Sequence, residues 1–470
     1  MVTRMRMQRS YLVRVFVRAF VPATFLLSIG LLLAGSSRSA FAFDRQPNSD
    51  YHARRQALAK KAGGVIVLFA PMESEGPNDL YGFRQEDNFY YLSGLSEPGA
   101  ALLIAPPTDS EAKGDAPARA YTEILFLPPR NLTQEKWTGP KLGPENPEAP
   151  KLTGFDRVDD MAKLPGDVMK LISGPHPVIY TDVASPDQVS ASAEPLAFLK
   201  DVNSFLKFQD VKPMIAELRT YKDSGEVALI RKAVDASVAA HFAAFNAVKP
   251  SVNEREVSAL MQYEWGKRGC ERPAYAPIVG SGYFSTVLHY SDDDKVMKSG
   301  DVVVIDAAGE YSMYASDITR TLPINGHFTD RQREIYDIVL GAQQAAEAAF
   351  KSGKSTMKRD GSDDSLYEVA RNYIKAHGKD LHGEPLDKYF IHGLGHPVGL
   401  NVHDAADPEA RLGPGQVFTI EPGIYIPEEN LGVRIEDDYW VDPDGKLVKL
   451  SAALPSKAED VEKLMSAAGK

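Results

Sequence analysis

The spacing of apolar and polar positions divides the chain into two differently patterned parts. In the first, short apolar runs at 64–70, 89–93, 100–105, 121–127 and 177–181 read as strands. Segments 156–172 and 195–206 read as helices, and strands alternating with helices make an α/β unit. Residues 139–154, rich in Pro and Gly, read as a surface loop. From Pro213 onward longer helical patterns take over. Ser224 is the expected cap of a helix reaching about Val248, with Glu226 in its first turn. Asn253 with Glu256, and Thr329 with Gln332, are capping boxes that open two more. A further helix is expected over 365–377, after a polar, Gly- and Ser-rich loop at 351–364.

Two stretches carry acids where the pattern asks for apolar residues. Residues 301–323 contain a β-branched run ending in Asp306, a turn region at 309–312, and a second strand-like run carrying Asp317. A hairpin centred on Tyr311 and Ser312 sets Asp306 opposite Asp317, ~5 Å apart. Residues 416–426 carry Glu421 and 432–441 carry Glu436; a hairpin centred on Glu428 and Glu429 sets those two face to face. A carboxylate in an apolar run is costly to bury unpaired, and opposed like charges repel. Core packing does not explain two such pairs; a cation between them explains both.

Residues 392–404, H-G-L-G-H-P-V-G-L-N-V-H-D, hold three of the ten histidines. Gly393, Gly395 and Gly399 make this strand and turn rather than helix. Four carboxylates and an imidazole suit manganese, cobalt, iron or zinc better than calcium. Four negative charges balance two divalent ions, and ions ~3.5–4 Å apart are a recurrent hydrolytic device.

These segments, I-D-A-A-G-E-Y…A-S-D-I-T-R-T, the histidine run, I-E-P-G-I-Y and R-I-E-D-D, resemble the metal-binding segments of the pita-bread metallopeptidases. That family includes methionine aminopeptidase, Xaa-Pro aminopeptidase (aminopeptidase P) and prolidase. The resemblance covers about 213–450. F-R-Q-E-D-N-F-Y-Y-L-S-G-L-S-E-P (83–98) and R-N-L-T-Q-E-K-W-T-G (130–139) resemble the amino-terminal domain of aminopeptidase P and some prolidases, which methionine aminopeptidase lacks. The resemblance implies an α/β amino-terminal domain over 43–208 and an α+β pita-bread catalytic domain over 213–470. It implies two divalent metal ions, manganese first, with cobalt, zinc or iron as alternatives. Asp306 is then a ligand of one ion, Asp317 and Glu436 bridge both, and His396 and Glu421 complete the second. His289 lines the substrate site, and His392 and His403 contact the scissile carbonyl and the proline side. Glu421 doubles as general base. Tyr275 resembles a position near the amine pocket. Arg434, two residues before Glu436, shares its strand face and is expected to hold a bridging carboxylate in place.

The activity implied is release of the amino-terminal residue from peptides with proline second. The alternatives are a prolidase, confined to Xaa-Pro dipeptides, and a pita-bread protein that binds peptide without hydrolysis; relatives of that kind lose ligand residues, whereas this chain keeps all five. Relatives often associate through the amino-terminal domain, so a homo-oligomer is expected.

Charge and composition narrow the partners. Residues 1–42 contain six Arg and no acid, leaving 47 basic against 64 acidic residues, a net charge of −17 for the remainder. That argues against a nucleic-acid or anionic-membrane partner. Arg4 to Arg18 form a basic region, 21–34 an apolar core too short for a membrane span, and Ala40-Phe41-Ala42 a small-x-small cleavage site. This reads as a signal peptide cut near Ala42, with the protein exported (periplasmic or secreted) and no stable membrane anchor. Cys270 is the only cysteine, so an intrachain disulfide and thiolate zinc sites are excluded. The chain has no G-x-S-x-G, H-E-x-x-H or phosphate loop.

Overall fold

The computed structural model describes residues 44–73, 80–105, 121–172, 177–185 and 188–468. The expected signal peptide lies outside the described residues. The amino-terminal part is built on a six-stranded sheet in the spatial order Arg157–Asp160, Thr122–Leu127, Ala101–Ala105, Val65–Phe69, Val178–Thr181, Lys207–Asp210. The three central strands run antiparallel, and the outer ones join parallel. Val67, Leu103, Phe126, Ile179 and Phe208 are buried in its core, with Val168 packed from a helix.

Three local expectations change. Residues 89–93 lie in a helix, Asp87–Ser93, rather than a strand. The Glu86 side chain accepts from the Phe89 N–H, and Gly94 at φ 64° closes the other end. Pattern alone does not separate strand from helix in so short an apolar run; here the caps decide. Segment 156–172 divides into the edge strand Arg157–Asp160, one 3-10 turn and a helix confined to Leu164–Leu171. Segment 195–206 holds only the end of a 3-10 turn and the short helix Leu199–Val202. The strand Lys207–Asp210 is too short and polar to stand out in the sequence.

In the carboxy-terminal part, helices Ser224–Ala247 and Glu254–Gly266 pack together, as do Asp330–Ala349 and Leu366–His377. The capping boxes at Asn253 and Thr329 are present, and Ser365 caps the last of these helices. The first helix is capped by Asp223, not Ser224. Its carboxylate accepts from the Gly225 and Glu226 N–H groups while Glu226 reaches back to the Asp223 N–H. Two three-stranded sheets accompany the helix pairs: Ile278–Ser281, Val302–Asp306, Thr319–Pro323, and Val417–Ile420, Asp437–Val441, Leu447–Lys449. A two-stranded ribbon, Gly423–Ile426 with Leu431–Arg434, extends from the second.

The two hairpins position the acids. In the first, Asp306 lies opposite Thr319, and Tyr311 bridges Tyr314. The turn closes one residue later than expected, on Ser312 (φ 49°) and Met313 (φ 73°). Two successive left-handed residues give the type I′ turn whose twist suits a hairpin. The partner of Asp306 therefore moves by two residues, and because side chains alternate, Asp317 stays on the same face. In the second hairpin Ile420 pairs with Asp437 and Gly423 with Arg434, which is the expected register. Glu421 and Glu436 fall between these pairs, where the ladder breaks. At the break Glu436 exchanges backbone hydrogen bonds with Thr319 instead, and the Glu421 N–H donates to the Leu394 carbonyl at 2.8 Å. Lost ladder bonds must be replaced. Their replacements bring both hairpins and the histidine segment together.

Candidate metal centre

Asp306, Asp317, His396, Glu421 and Glu436 line one cavity of about 610 Å³, together with Tyr275, His289, His392, His403 and Arg434. Residues spread over 162 positions of sequence thus share one cleft. Ligand-capable atoms of Asp317, His396 and Glu436 lie within 4.8 Å of one another. His396 Nε2 is 3.3 Å from both Asp317 Oδ2 and Glu421 Oε1.

Each acid is oriented by a neighbour. Asp306 accepts from the Tyr275 hydroxyl at 2.6 Å and from Arg434 Nη2 at 2.7 Å. Thr319 Oγ1 donates to Glu436 at 2.6 Å, and Thr419 Oγ1 to Glu421 at 3.2 Å. Thr419 Oγ1 also accepts the His396 backbone N–H, while His396 Nδ1 lies 3.1 Å from the Pro397 carbonyl. A proton on Nδ1 leaves Nε2 facing the acids. Further back, the His241 Nε2–H reaches the carbonyls of Ala307 and Ile318, both at 3.1 Å. Burial holds His241 down to about 4, so it is a neutral pin between the two backbone segments that bear Asp306 and Asp317.

Arg434 serves two of the acids. Its guanidinium grips Asp306 directly, and its Nε–H donates to Thr319 Oγ1 at 3.2 Å, the hydroxyl that in turn holds Glu436. Arg434 Nη1 also donates to the Tyr425 hydroxyl at 2.8 Å, and that hydroxyl lies 2.8 Å from His392 Nε2. With Nδ1 at 2.8 Å from the Gly393 carbonyl, both His392 ring nitrogens are engaged within the protein. The His403 ring packs on His396 at 3.9 Å between centroids, and among the described residues no group hydrogen-bonds it. Tyr425, Thr319, Thr419 and His241 were not singled out by the sequence. For Thr319 a signal existed: it follows Asp317 by two residues, on one strand face.

The electrostatics ask for a cation. Burial and the neighbouring carboxylates raise Asp317 and Glu436 above the usual carboxylate range, and burial brings Glu421 up to about 7. Burial works against a charged His396, but its hydrogen bond to Asp317 and the nearby Glu421 outweigh it and raise the ring to about 9. A proton on that ring stands where a cation would relieve the crowding. Asp317 Oδ1 is buried without a hydrogen-bond partner, which a ligand atom requires. Oxygen donors plus one imidazole suit a divalent transition ion. Burial, then the Arg434 charge, lowers His392 to about 3; burial, then His396, lowers His403 to about 4. Both rings are neutral at pH 7.

A buried acid–imidazole cluster gathered from two hairpins and a histidine segment is the site of a metal-dependent hydrolase. Residues 228–443 match metallopeptidase family M24, and residues 51–180 match the aminopeptidase P amino-terminal domain. The chain is 32% identical over 445 residues to the Xaa-Pro aminopeptidase of Escherichia coli (strain K12), covering 90% of this chain and 98% of that protein. It superposes with a TM-score of 0.78 on E. coli aminopeptidase P with the inhibitor Pro-Leu, at 30% identity, covering 91% of this chain and all of the other. Zinc-substituted E. coli aminopeptidase P in complex with product gives 0.77, also at 30% identity, over 91% of this chain and all of the other. The chain belongs to the Xaa-Pro aminopeptidases of metallopeptidase family M24, with the aminopeptidase P amino-terminal domain and the pita-bread catalytic fold.

Proposed function

We propose that the protein is exported and removes the amino-terminal residue from peptides longer than two residues whose second residue is proline. We further propose that it uses two divalent ions, manganese by preference, held by Asp306, Asp317, His396, Glu421 and Glu436. The observation that carries this is the gathering of four acids and four histidines, from four separate segments, in one cleft. When bound, divalent ions supply Lewis-acid polarisation of the scissile carbonyl and allow a nucleophile to form at neutral pH.

The chain's own groups do the rest. Tyr275 and Arg434 fix Asp306, and Thr319 fixes Glu436, so the acids need little rearrangement. Glu421, steadied by the Thr419 hydroxyl, is placed to accept the proton of the attacking water. Neutral His403, stacked on His396 with its ring nitrogens unbonded among the described residues, donates to the carbonyl oxygen as charge develops there. Proline in second place leaves no N–H at the scissile bond, so recognition through a backbone ladder is not needed. His289 lines the cavity and contacts substrate. Arginine at 434 and tyrosine at 425 keep His392 oriented beside Glu421, 3.7 Å away.

The test is release of alanine from Ala-Pro and Ala-Pro-Ala by the mature protein with manganese. Cleavage of the tripeptide, lost in Glu421→Ala, is expected. Cleavage of the dipeptide alone identifies a prolidase, and no turnover with metal bound overturns the substrate class. Export is supported by the pattern of 1–42; sequencing of protein recovered outside the cytoplasm is expected to start at Phe43. A homo-oligomer is proposed as well, and gel filtration at the monomer mass rejects it.

A further inference from the structure

The loop 399–404 carries His403 into the cavity, yet no hydrogen bond from the described protein reaches the His403 ring. Its direction depends on its backbone and on its stack against His396. The backbone N–H of His403 donates to Asn401 Oδ1 at 3.1 Å, and that of Asp404 to the Pro397 carbonyl at 2.9 Å. What holds Leu400, Asn401 and Asp404 therefore sets His403.

Much of that hold comes from the amino-terminal domain. Arg84 Nη2 donates to the Leu400 carbonyl at 2.6 Å. The rest of its guanidinium is fixed by Asp87 at 2.7 Å and by Glu310 at 2.9 Å. Asp87 Oδ2 takes Asn401 Nδ2 and Arg219 Nη2, each at 3.4 Å. Arg219 is held by Asn88 at 2.7 Å and donates to Asp404 Oδ1 at 2.5 Å. Lys222 Nζ lies 2.9 Å from the other oxygen of Asp404. The side chains of Arg219, Lys222 and Asp404 are each under 5% exposed. Buried charges are costly, and they hold position only when every partner is in place. Gly399 completes the fit, because a Cβ there meets Asp404 Oδ2 at 2.3 Å.

We infer that Arg84 and Asp87 of the amino-terminal domain are positioning residues of the active site: through Leu400, Asn401 and Arg219–Asp404 they set the loop that aims His403 at the substrate. The amino-terminal domain is then part of the catalytic apparatus of its own chain. This rests on the proposed role of His403, and the experiment separates the two.

Turnover of Ala-Pro-Ala is measured with full-length manganese-loaded protein for Arg84→Ala, His403→Ala and the double variant. Arg84→Ala is expected to lower kcat by between about 10- and 100-fold, with little change in KM and unchanged metal content. In the His403→Ala background the same change is expected to cost nothing more, since the group it aims is gone. Losses that multiply overturn the inference and leave the network a structural bond between domains. Should Arg84→Ala not fold, Arg84→Lys serves: one ammonium pairs with Glu310 or Asp87 but does not span Leu400 as well. A second readout is independent of turnover. In NMR spectra of zinc-loaded, histidine-labelled protein, the His403 imidazole signal is expected to shift or broaden in Arg84→Lys while that of His241 stays put. An unchanged His403 signal overturns the positioning role even if proline peptides prove not to be substrates.

Discussion

Four carboxylates are kept in this cleft at the cost of mutual repulsion, and protons relieve it when no cation is present. With Glu421 brought up to about 7 and His396 up to about 9, both bind a proton below pH 7. A metal ligand must shed it. Manganese binding at pH 7 is therefore expected to release protons, and affinity to rise as pH increases from 6 to 8. Titration calorimetry in buffers of different ionisation heat checks this; a heat that does not depend on the buffer contradicts it. Tyr425 offers a second residue-scale prediction. Tyr425→Phe leaves the buried Arg434 Nη1 without its acceptor and frees His392, and an unmet buried donor costs about 1–3 kcal/mol. Denaturant unfolding is expected to show that loss, and kcat/KM for Ala-Pro-Ala to fall by roughly 10-fold or more as His392 and Asp306 lose their common support.

The elements show where pattern reasoning succeeds and where it stops. Capping boxes at Asn253 and Thr329 are legible because the residues that make them are three apart and act locally. The neighbouring case at Asp223 and Ser224 was not, since both are good caps and the choice depends on tertiary partners. Asp223 also meets Gln46 at 2.6 Å and Arg54 at 2.6 Å from the amino-terminal domain. Asp223→Ala is expected to destabilise the protein by about 1–2 kcal/mol from the lost cap alone, whereas Ser224→Ala stays within about 0.5 kcal/mol. Urea unfolding of the two variants distinguishes them; equal effects contradict the assignment. The register of the second hairpin was readable from its centre, Glu428–Glu429, because a single turn fixes it. That of the first shifted by two because Ser312 and Met313, neither of them glycine, both take left-handed backbone.

Across the whole molecule, the site is a junction of strand ends, so ion binding acts on the entire fold. Ions that bind the folded chain alone stabilise it by mass action, about 2.7 kcal/mol at a hundred-fold excess over Kd. Manganese is expected to raise Tm in a concentration-dependent way and a chelator to lower it, by scanning calorimetry; a Tm indifferent to both contradicts a metal site built into the core. No helix among the described residues is long and apolar enough to cross a membrane. The sequence by itself determined which residues stand out as candidates for the site, since acids in apolar runs and clustered histidines are anomalies of local pattern with a direct energetic meaning. It also determined the two hairpins, the capped helices and the family resemblance, all of which rest on short-range spacing. Tertiary structure alone decided what each acid touches: Arg434 directly on Asp306 and through Thr319 on Glu436, His241 between two backbones. It also decided that Arg84 and Asp87, over 300 residues away in sequence, brace the loop of His403. Those contacts depend on how a broken ladder finds new partners, and the spacing of residues along one strand holds no information about that.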